Sequence, residues 1–256
     1  MFNSGNPWKD RFLASGAHFA LSLVVAALSA ALVFGLWYPY PYREISGGRE
    51  LFFLIVAVDV VMGPLLTFAV FNRKKPIKKL KLDLFIIVVL QLAALGYGLW
   101  AVFVSRPAYL VYEYDRFRVV HVIEIDPARL DTAPLALRAL PVTGPGMLSL
   151  REFKDGKESG EFTFDAIAGV ALSTRPELWQ SYETARPKIL EKAKPLSALK
   201  KRFAEQAADI DKAISSTSRP EAQLRYVSMV GRKSFWTVLI DGTTAEPLAF
   251  LSIDSF

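Results

Sequence analysis

The chain has 256 residues, a formal net charge of +6 and a mean hydropathy of +0.26, which is unusually apolar for a soluble protein. Ten basic and five acidic residues lie in the first 104 positions, so the basic excess does not indicate a nucleic-acid-binding face. The chain has no cysteine, which excludes thiolate chemistry. It has only two histidines, which disfavours histidine-based metal sites and catalytic triads. We therefore expect a non-enzymatic membrane protein with no cofactor, no metal and no nucleic-acid partner.

Three apolar segments have the length of membrane spans. They cover residues 17–37, 51–71 and 84–104, each 21 residues long. At a rise of about 1.5 Å per residue, each segment reaches about 30 Å, the thickness of the hydrocarbon core. The first exceeds the roughly 7–15 apolar residues of a signal peptide and lacks a clear cleavage site, so we interpret it as an uncleaved anchor. The sequence thus predicts a three-span region over residues 1–104.

Basic residues predict the orientation of these spans. Lys9 and Arg11 precede the first span, and the loop after the second contains six more basic residues: Arg73, Lys74, Lys75, Lys78, Lys79 and Lys81. The loop after the first span has only Arg43 and Arg49, so the N-terminus is predicted to be cytoplasmic. The basic loop is best interpreted as a topology determinant on anionic headgroups, with a docking site for a cytoplasmic partner as the alternative.

Residues 105–256 are too polar for lipid and long enough for one domain. The orientation places this domain on the non-cytoplasmic side, which in a Gram-negative cell is the periplasm. Alternation predicts a hairpin of 108–113 and 117–125, with His121 as a core histidine. Three further strands are predicted near the C-terminus, at 224–230, 235–240 and 248–253. We expect an α+β domain with an antiparallel sheet.

Two helical patterns lie between these groups of strands. Thr174 and Glu177 have the spacing of a capping box, which predicts a helix that includes Trp179 and Tyr182. Apolar residues then recur at steps of three and four from Leu196 to Ile214, typical of one amphipathic helix packed on a sheet.

The second span contains a charged residue that needs an explanation. A carboxylate in a span costs roughly 2.5–3.5 kcal/mol, so Asp59 should face protein or water. Asp59, Gly63 and Thr67 are spaced by four and share one helix face, and Pro64 leaves a carbonyl about one turn earlier without its usual partner. We call this face, together with Gln91 of the third span, the polar seam. It either receives a partner's transmembrane helix or packs within the chain, where Gln91 could bond Asp59; a proton relay is disfavoured because too few titratable groups accompany Asp59.

Aromatic residues follow the first span. Trp37, Tyr38 and Tyr40 lie in the proline-containing run that ends at Tyr42. Such a run is typical of the aromatic belt at a membrane interface, which we favour over the lip of a binding groove.

Several motifs resemble one known family across nearly the whole chain. They are Trp37-Tyr-Pro-Tyr-Pro-Tyr42, Val58-Asp-Val-Val-Met-Gly63-Pro-Leu-Leu-Thr67, Phe71-Asn-Arg-Lys-Lys-Pro76, Leu90-Gln-Leu-Ala-Ala-Leu-Gly-Tyr-Gly-Leu-Trp100, Arg106-Pro107, Asp115-Arg-Phe117, Val230-Gly-Arg-Lys233 and Glu246-Pro-Leu-Ala-Phe-Leu-Ser-Ile-Asp254. In their order, they resemble the TfpX/TfpZ (FimB-like) type IV pilin accessory proteins of Gram-negative bacteria. The middle of the chain, residues 126–218, matches only in general character.

The resemblance implies an inner-membrane, chaperone-like factor that binds type IV pilin, with the major pilin as the favoured client, and assists its stability or assembly. Membrane lipid and possible further pilus assembly components are the other expected partners. The alternatives are a periplasmic sensor and a non-catalytic subunit of a pilin-modifying membrane complex. A sensor is disfavoured because the predicted cytoplasmic segments are too short for an output domain.

Overall fold

The N-terminal part of the protein consists of three long helices. The computed structural model describes residues 7–256. The helices are Pro7–Trp37, Gly48–Val70 and Ile77–Val104, and each is long and apolar enough to cross a membrane. Most of their large apolar side chains are exposed, as expected for surfaces that face lipid. The three predicted spans lie within these helices apart from Phe71, which follows the second.

Short π-helical segments occur in the first two long helices, at the end of the first and in the middle of the second. The first comprises α1 (Pro7–Leu32) and a π segment (Val33–Trp37); the second comprises α3 (Gly48–Ala57), a π segment (Val58–Met62) and α4 (Gly63–Val70), and the third is α5 (Ile77–Val104). A four-residue helix, α2 (Tyr42–Ile45), lies between the first two. Such single π turns are frequent at functional sites.

The chain divides into two compact units. The first contains residues up to Pro39 and Gly48–Val104, and the second contains Tyr40–Gly47 and Ser105–Phe256. Residues 40–47, the loop after the first long helix, therefore belong structurally with the C-terminal unit.

The second unit is built on one mixed sheet. Its strands are β1 (Pro107–Glu113), β2 (Arg116–His121), β3 (Gly146–Leu150), β4 (Trp179–Ser181), β5 (Lys194–Pro195), β6 (Leu224–Val230), β7 (Phe235–Asp241) and β8 (Pro247–Leu251). Their order is β4-β3-β1-β2-β6-β7-β8, with β5 paired to β6 at one end. The expectation of an antiparallel sheet was wrong, because β1–β3 and β2–β6 are parallel. Both parallel pairs join strands separated by long connections, which allow the chain to return in the same direction.

Helices cover both faces of this sheet. They are α6 (Gly156–Ile167), α7 (Tyr182–Lys192), α8 (Leu196–Arg202) and α9 (Ala207–Ser216). The helix predicted from the Thr174 capping box was wrong at its start, because two 3-10 turns and β4 occupy residues 172–181 and α7 begins at Tyr182. The stripe from Leu196 to Ile214 is split into α8 and α9, because the helix stops at Phe203, where the backbone leaves the helical region. The second hairpin strand also ends early, at His121, which is buried as predicted.

Residues 40–47 complete the core of the second unit. Tyr42 and Ile45 are buried in a cluster with residues of the sheet and α7. The Arg232 backbone N–H donates to the Ile45 carbonyl at 3.3 Å. Burial also raises the pKa of the Tyr42 hydroxyl. Because Tyr42 and Ile45 share one core with the sheet, residues 40–47 and 105–256 lie on the same side of any membrane that the long helices cross.

Candidate functional site

The residues of the polar seam lie close together in the first unit. Asp59, Gly63, Pro64 and Thr67 are all buried on the second long helix, and Gln91 approaches them from α5. The helical spacing of four therefore places them on one inward face. The contacts of each residue show which of them pack within the chain and which leave a surface that a partner can reach.

The π segment at Val58–Met62 creates an unusual backbone acceptor. A π turn pairs each carbonyl with the N–H five residues later, and the residue five after Asp59 is Pro64, which has no N–H. The Gln91 side chain instead donates from Nε2 to the Asp59 backbone oxygen at 3.1 Å. The Gln91 side chain thus bonds the backbone oxygen of Asp59, whereas the sequence suggested a bond to the Asp59 carboxyl group.

Gly63 makes room for this contact. A Cβ at Gly63 would overlap the Gln91 amide, with the Gln91 Cδ only 2.7 Å away. Gly63 and Gln91 therefore pack within the chain.

Thr67 and Pro64 also have partners, both on the first long helix. His18 Nδ1 and Thr67 Oγ1 are 2.6 Å apart, and the Ser15 hydroxyl donates to the Pro64 carbonyl at 2.9 Å. Sequence reasoning missed both contacts. A signal was available, because Ser15 and His18 are three apart and share a helix face.

The Asp59 carboxyl group differs from its neighbours. The residue is 8% exposed, and Oδ1 is buried without a hydrogen-bond partner among the described residues. Asp59 lines a cavity of about 90 Å³ with residues of the first and third long helices, and a second cavity of about 230 Å³ along the third. His18 lines the same cavity and interacts with this carboxyl group electrostatically, but it does not hydrogen-bond Oδ1. A buried carboxyl oxygen without a hydrogen bond is costly, so it favours a ligand or partner group at this point.

A groove runs along the helices at Asp59. Among residues 7–104, the first and third long helices both pack against the second but make few contacts with each other before Val33. The wall on the first helix includes Leu21 and Val25, and the wall on the third includes Val88, Leu92 and Leu95. An adjoining cavity of about 290 Å³ continues past His18 and Thr67. We call this feature the lateral groove; it has apolar walls and the Asp59 carboxyl group on its floor.

The basic loop is partly neutralised within the first unit. Arg73 pairs with Asp10 at 3.4 Å, and Lys75 pairs with Asp83 at 2.7 Å. The other four lysines of the predicted set are exposed: Lys74, Lys78, Lys79 and Lys81. These exposed ammonium groups fit the headgroups of anionic lipids.

The three aromatic residues after the first span have different environments. Tyr38 is fully buried against Val33, Phe52 and Val102, and its hydroxyl donates to the Val102 carbonyl at 3.1 Å. Tyr38 therefore packs within the first unit. Trp37 is half-buried against Phe103 and Tyr40 is 66% exposed.

No group of His, Asp or Glu side chains in residues 7–256 is arranged to hold a metal ion. The lateral groove is a candidate binding surface because it combines apolar walls with a buried carboxyl group on its floor.

Comparison with known proteins identifies the family that has this architecture. Three long apolar helices followed by a mixed-sheet domain define a membrane-associated protein with an extramembrane α+β unit. The family model described as "Fimbrial assembly protein FimB" matches residues 6–47, and no solved structure matches the chain. Relatives in Dichelobacter nodosus include "Fimbrial assembly protein, serogroup I" and "serogroup E1", at 38% and 37% identity over 97% of this chain and 98% of each relative. The chain belongs to the FimB family of fimbrial assembly proteins, which confirms the resemblance read from its motifs.

Proposed function

We propose that this protein is an inner-membrane accessory factor in fimbrial assembly that holds the transmembrane helix of a type IV pilin in the lateral groove. The observation that carries the proposal is the Asp59 carboxyl group, buried without a partner for Oδ1 on the floor of a groove between two helices. The relatives' names support the assembly role. The role is a binding role, and it requires no catalytic residue.

The groove suits a helix for two physical reasons. Its walls are leucine and valine side chains, which pack against another apolar helix as they would against lipid. Its floor offers a hydrogen-bond acceptor that lipid tails cannot satisfy, so a helix with a donor or a positive charge at that depth is favoured over lipid. A pilin helix bound there would be kept in the membrane, ready for assembly.

The proposal includes an orientation. The exposed lysines of the basic loop favour a cytoplasmic location for residues 72–81, against anionic lipid. The second unit would then lie in the periplasm, where a pilin and other pilus components present their soluble parts.

Photo-crosslinking in native membranes tests the proposal. A crosslinking residue is placed at Leu21 or Leu92, which line the groove from its two walls and are 63% and 60% exposed. The matched controls are Leu23 and Leu90, each two positions away on the opposite face of the same helix and also exposed. We expect an adduct recognised by antibody to the co-expressed pilin from Leu21 and Leu92, and none from Leu23 or Leu90.

A second variant tests whether formation of the pilin adduct depends on the Asp59 carboxyl group. Asp59→Asn should lower the yield of the Leu92 adduct several-fold, because an amide is a weaker acceptor for a charged donor. Equal pilin adducts from groove and control positions, or none from Leu21 and Leu92 with pilin abundant, would show that the groove does not hold pilin.

A further inference from the structure

The sheet of the second unit ends in an open strand. β8 pairs with β7 on one side, and among the described residues no strand pairs with its other side. From Pro247 to its end at Leu251 it has no charged residue, so the edge is protected only at its start, by Pro247 and by the irregular register opposite Leu239 and Ile240. The opposite end of the sheet, β4, has only three residues. The outer backbone groups of β8 are therefore available for hydrogen bonds with another strand.

A groove follows this edge and has a wall on each face of the sheet. On one face, Ala249 and Leu251 pack in a cluster with Ile210 and Ala213 of α9. On the other face, Phe250 contacts Tyr42, with ring centroids 5.7 Å apart. The groove has a volume of about 540 Å³ and includes Tyr40 and Pro41 as well as residues of α9.

The two walls differ in chemistry. One wall presents exposed polar side chains: Gln206, just before α9, and Asp209, Lys212 and Ser216 on α9. The opposite wall is formed by Tyr40, Pro41 and Trp236. Because neighbouring side chains of a strand point to opposite faces, a strand added at β8 would place alternate residues against a polar wall and an aromatic wall.

We infer that the β8 edge is a second binding site, which accepts an extended segment of the pilin's soluble part by strand addition. The segment would alternate polar and apolar residues, and about five of them, roughly 17 Å of strand, would pair with β8. Backbone hydrogen bonds would supply affinity, and the two walls would select the alternating pattern.

The choice of pilin as the occupant rests on the proposed function. Residues 40–47 and 105–256 share one core and so lie on one side of the membrane. A pilin whose helix occupies the lateral groove presents the chain beyond that helix on this side, if its soluble part is periplasmic as proposed. The same partner would then be held at two points, by its helix and by an extended segment.

Crosslinking at the edge tests this inference on the full-length protein in native membranes. A crosslinking residue is placed at Lys212 or at Ser252, which are exposed and line the groove from α9 and from the end of β8. Ser215 is the control, because it is exposed on α9 but does not line the groove. We expect pilin adducts from Lys212 and Ser252 and none from Ser215, with the attached peptide mapping outside the pilin's transmembrane helix.

Hydrogen exchange distinguishes strand addition from other docking. In the purified full-length protein, adding the pilin should slow amide exchange about tenfold at alternate positions of residues 248–251, because only those N–H groups face the open edge and Pro247 has none. Uniform protection, or no protection of these amides in a pilin complex, would overturn strand addition.

The outcomes separate this inference from the proposed function. Pilin adducts at Leu21 and Leu92 but not at Lys212 and Ser252 would overturn the edge site and leave the lateral groove intact. Absence of adducts at all four positions would overturn both. Adducts between two copies of this chain at Ser252 would show that the edge pairs with itself, which also overturns the assignment to pilin.

Discussion

Gly63 shows how a single residue shapes the interior of the helical unit. Its lack of a side chain lets the Gln91 amide reach the Asp59 backbone oxygen, the acceptor that Pro64 leaves without an N–H. A Cβ at position 63 would lie 2.7 Å from the Gln91 Cδ, so any side chain there has to displace Gln91.

Gly63→Leu should therefore destabilise the protein by about 1–3 kcal/mol, the usual cost of overpacking. The matched control is Gly96→Leu on α5, where a new Cβ has no heavy atom within 4 Å. Because leucine favours a helix more than glycine does, that control should be neutral or stabilise by up to about 1 kcal/mol. Thermal unfolding of both variants in one detergent measures the difference. If the two variants melt alike, Gly63 does not provide the space inferred here.

At the residue scale, the sequence predicted which residues share the face of the polar seam, but it did not predict the contacts that these residues make. Asp59, Gly63 and Thr67 share a face because helical spacing alone determines it. The His18–Thr67 pair and the unpartnered Oδ1 depend on how separate helices approach each other. No local pattern specifies such approaches, so they could not be derived from the chain.

Residues 40–47 are the element whose role differs most from its sequence character. In sequence they form the short loop between two spans, but in the structure Ile45 is fully buried in the core of the second unit. Gly231 packs against it so closely that a Cβ there would lie 2.7 Å from Ile45 Cγ2. The loop therefore contributes to the stability of a domain that begins some sixty residues later.

Ile45→Ala should destabilise the second unit by about 2–5 kcal/mol, the range for truncating a large buried aliphatic side chain. Tyr40→Ala, in the same loop, removes a side chain that is 66% exposed and should change the stability by less than about 0.5 kcal/mol. Denaturant unfolding followed by near-ultraviolet circular dichroism measures both. Equal stability of the Ile45→Ala variant and the unmodified protein would mean that the loop is not part of this core.

Elements defined by local patterns were predicted more accurately than those defined by pairing. The three C-terminal strands were found because alternation and turn residues mark them, and they occupy 224–230, 235–241 and 247–251. The direction of β3 and β6 was missed because parallel and antiparallel partners have similar side-chain patterns. The start of α7 was missed because 3-10 turns use the same Pro and Ser/Thr signals as helix caps.

At the scale of the whole molecule, hydropathy predicted the division into a helical part and an α+β part. Long apolar helices satisfy their own backbone groups, so their existence follows from sequence with little need of tertiary context. The contribution of residues 40–47 to the second unit did not follow, because it depends on a contact between segments far apart in the chain. That contact constrains topology independently of charge, since it ties the first loop and the C-terminal unit to one side.

The natural absence of cysteine makes this topology directly measurable with single introduced thiols. Tyr40→Cys and Lys201→Cys place exposed thiols on the two parts of the second unit, and Lys74→Cys places one in the basic loop. In cells with a permeabilised outer membrane, an impermeant maleimide should label positions 40 and 201, and should label position 74 only after the inner membrane is opened. The cysteine-free protein is the control for background labelling. Labelling of position 74 alone, before the inner membrane is opened, would invert the orientation and place the second unit in the cytoplasm. Opposite labelling of positions 40 and 201 would contradict their shared core, because one folded core cannot be assembled from segments on two sides of a membrane.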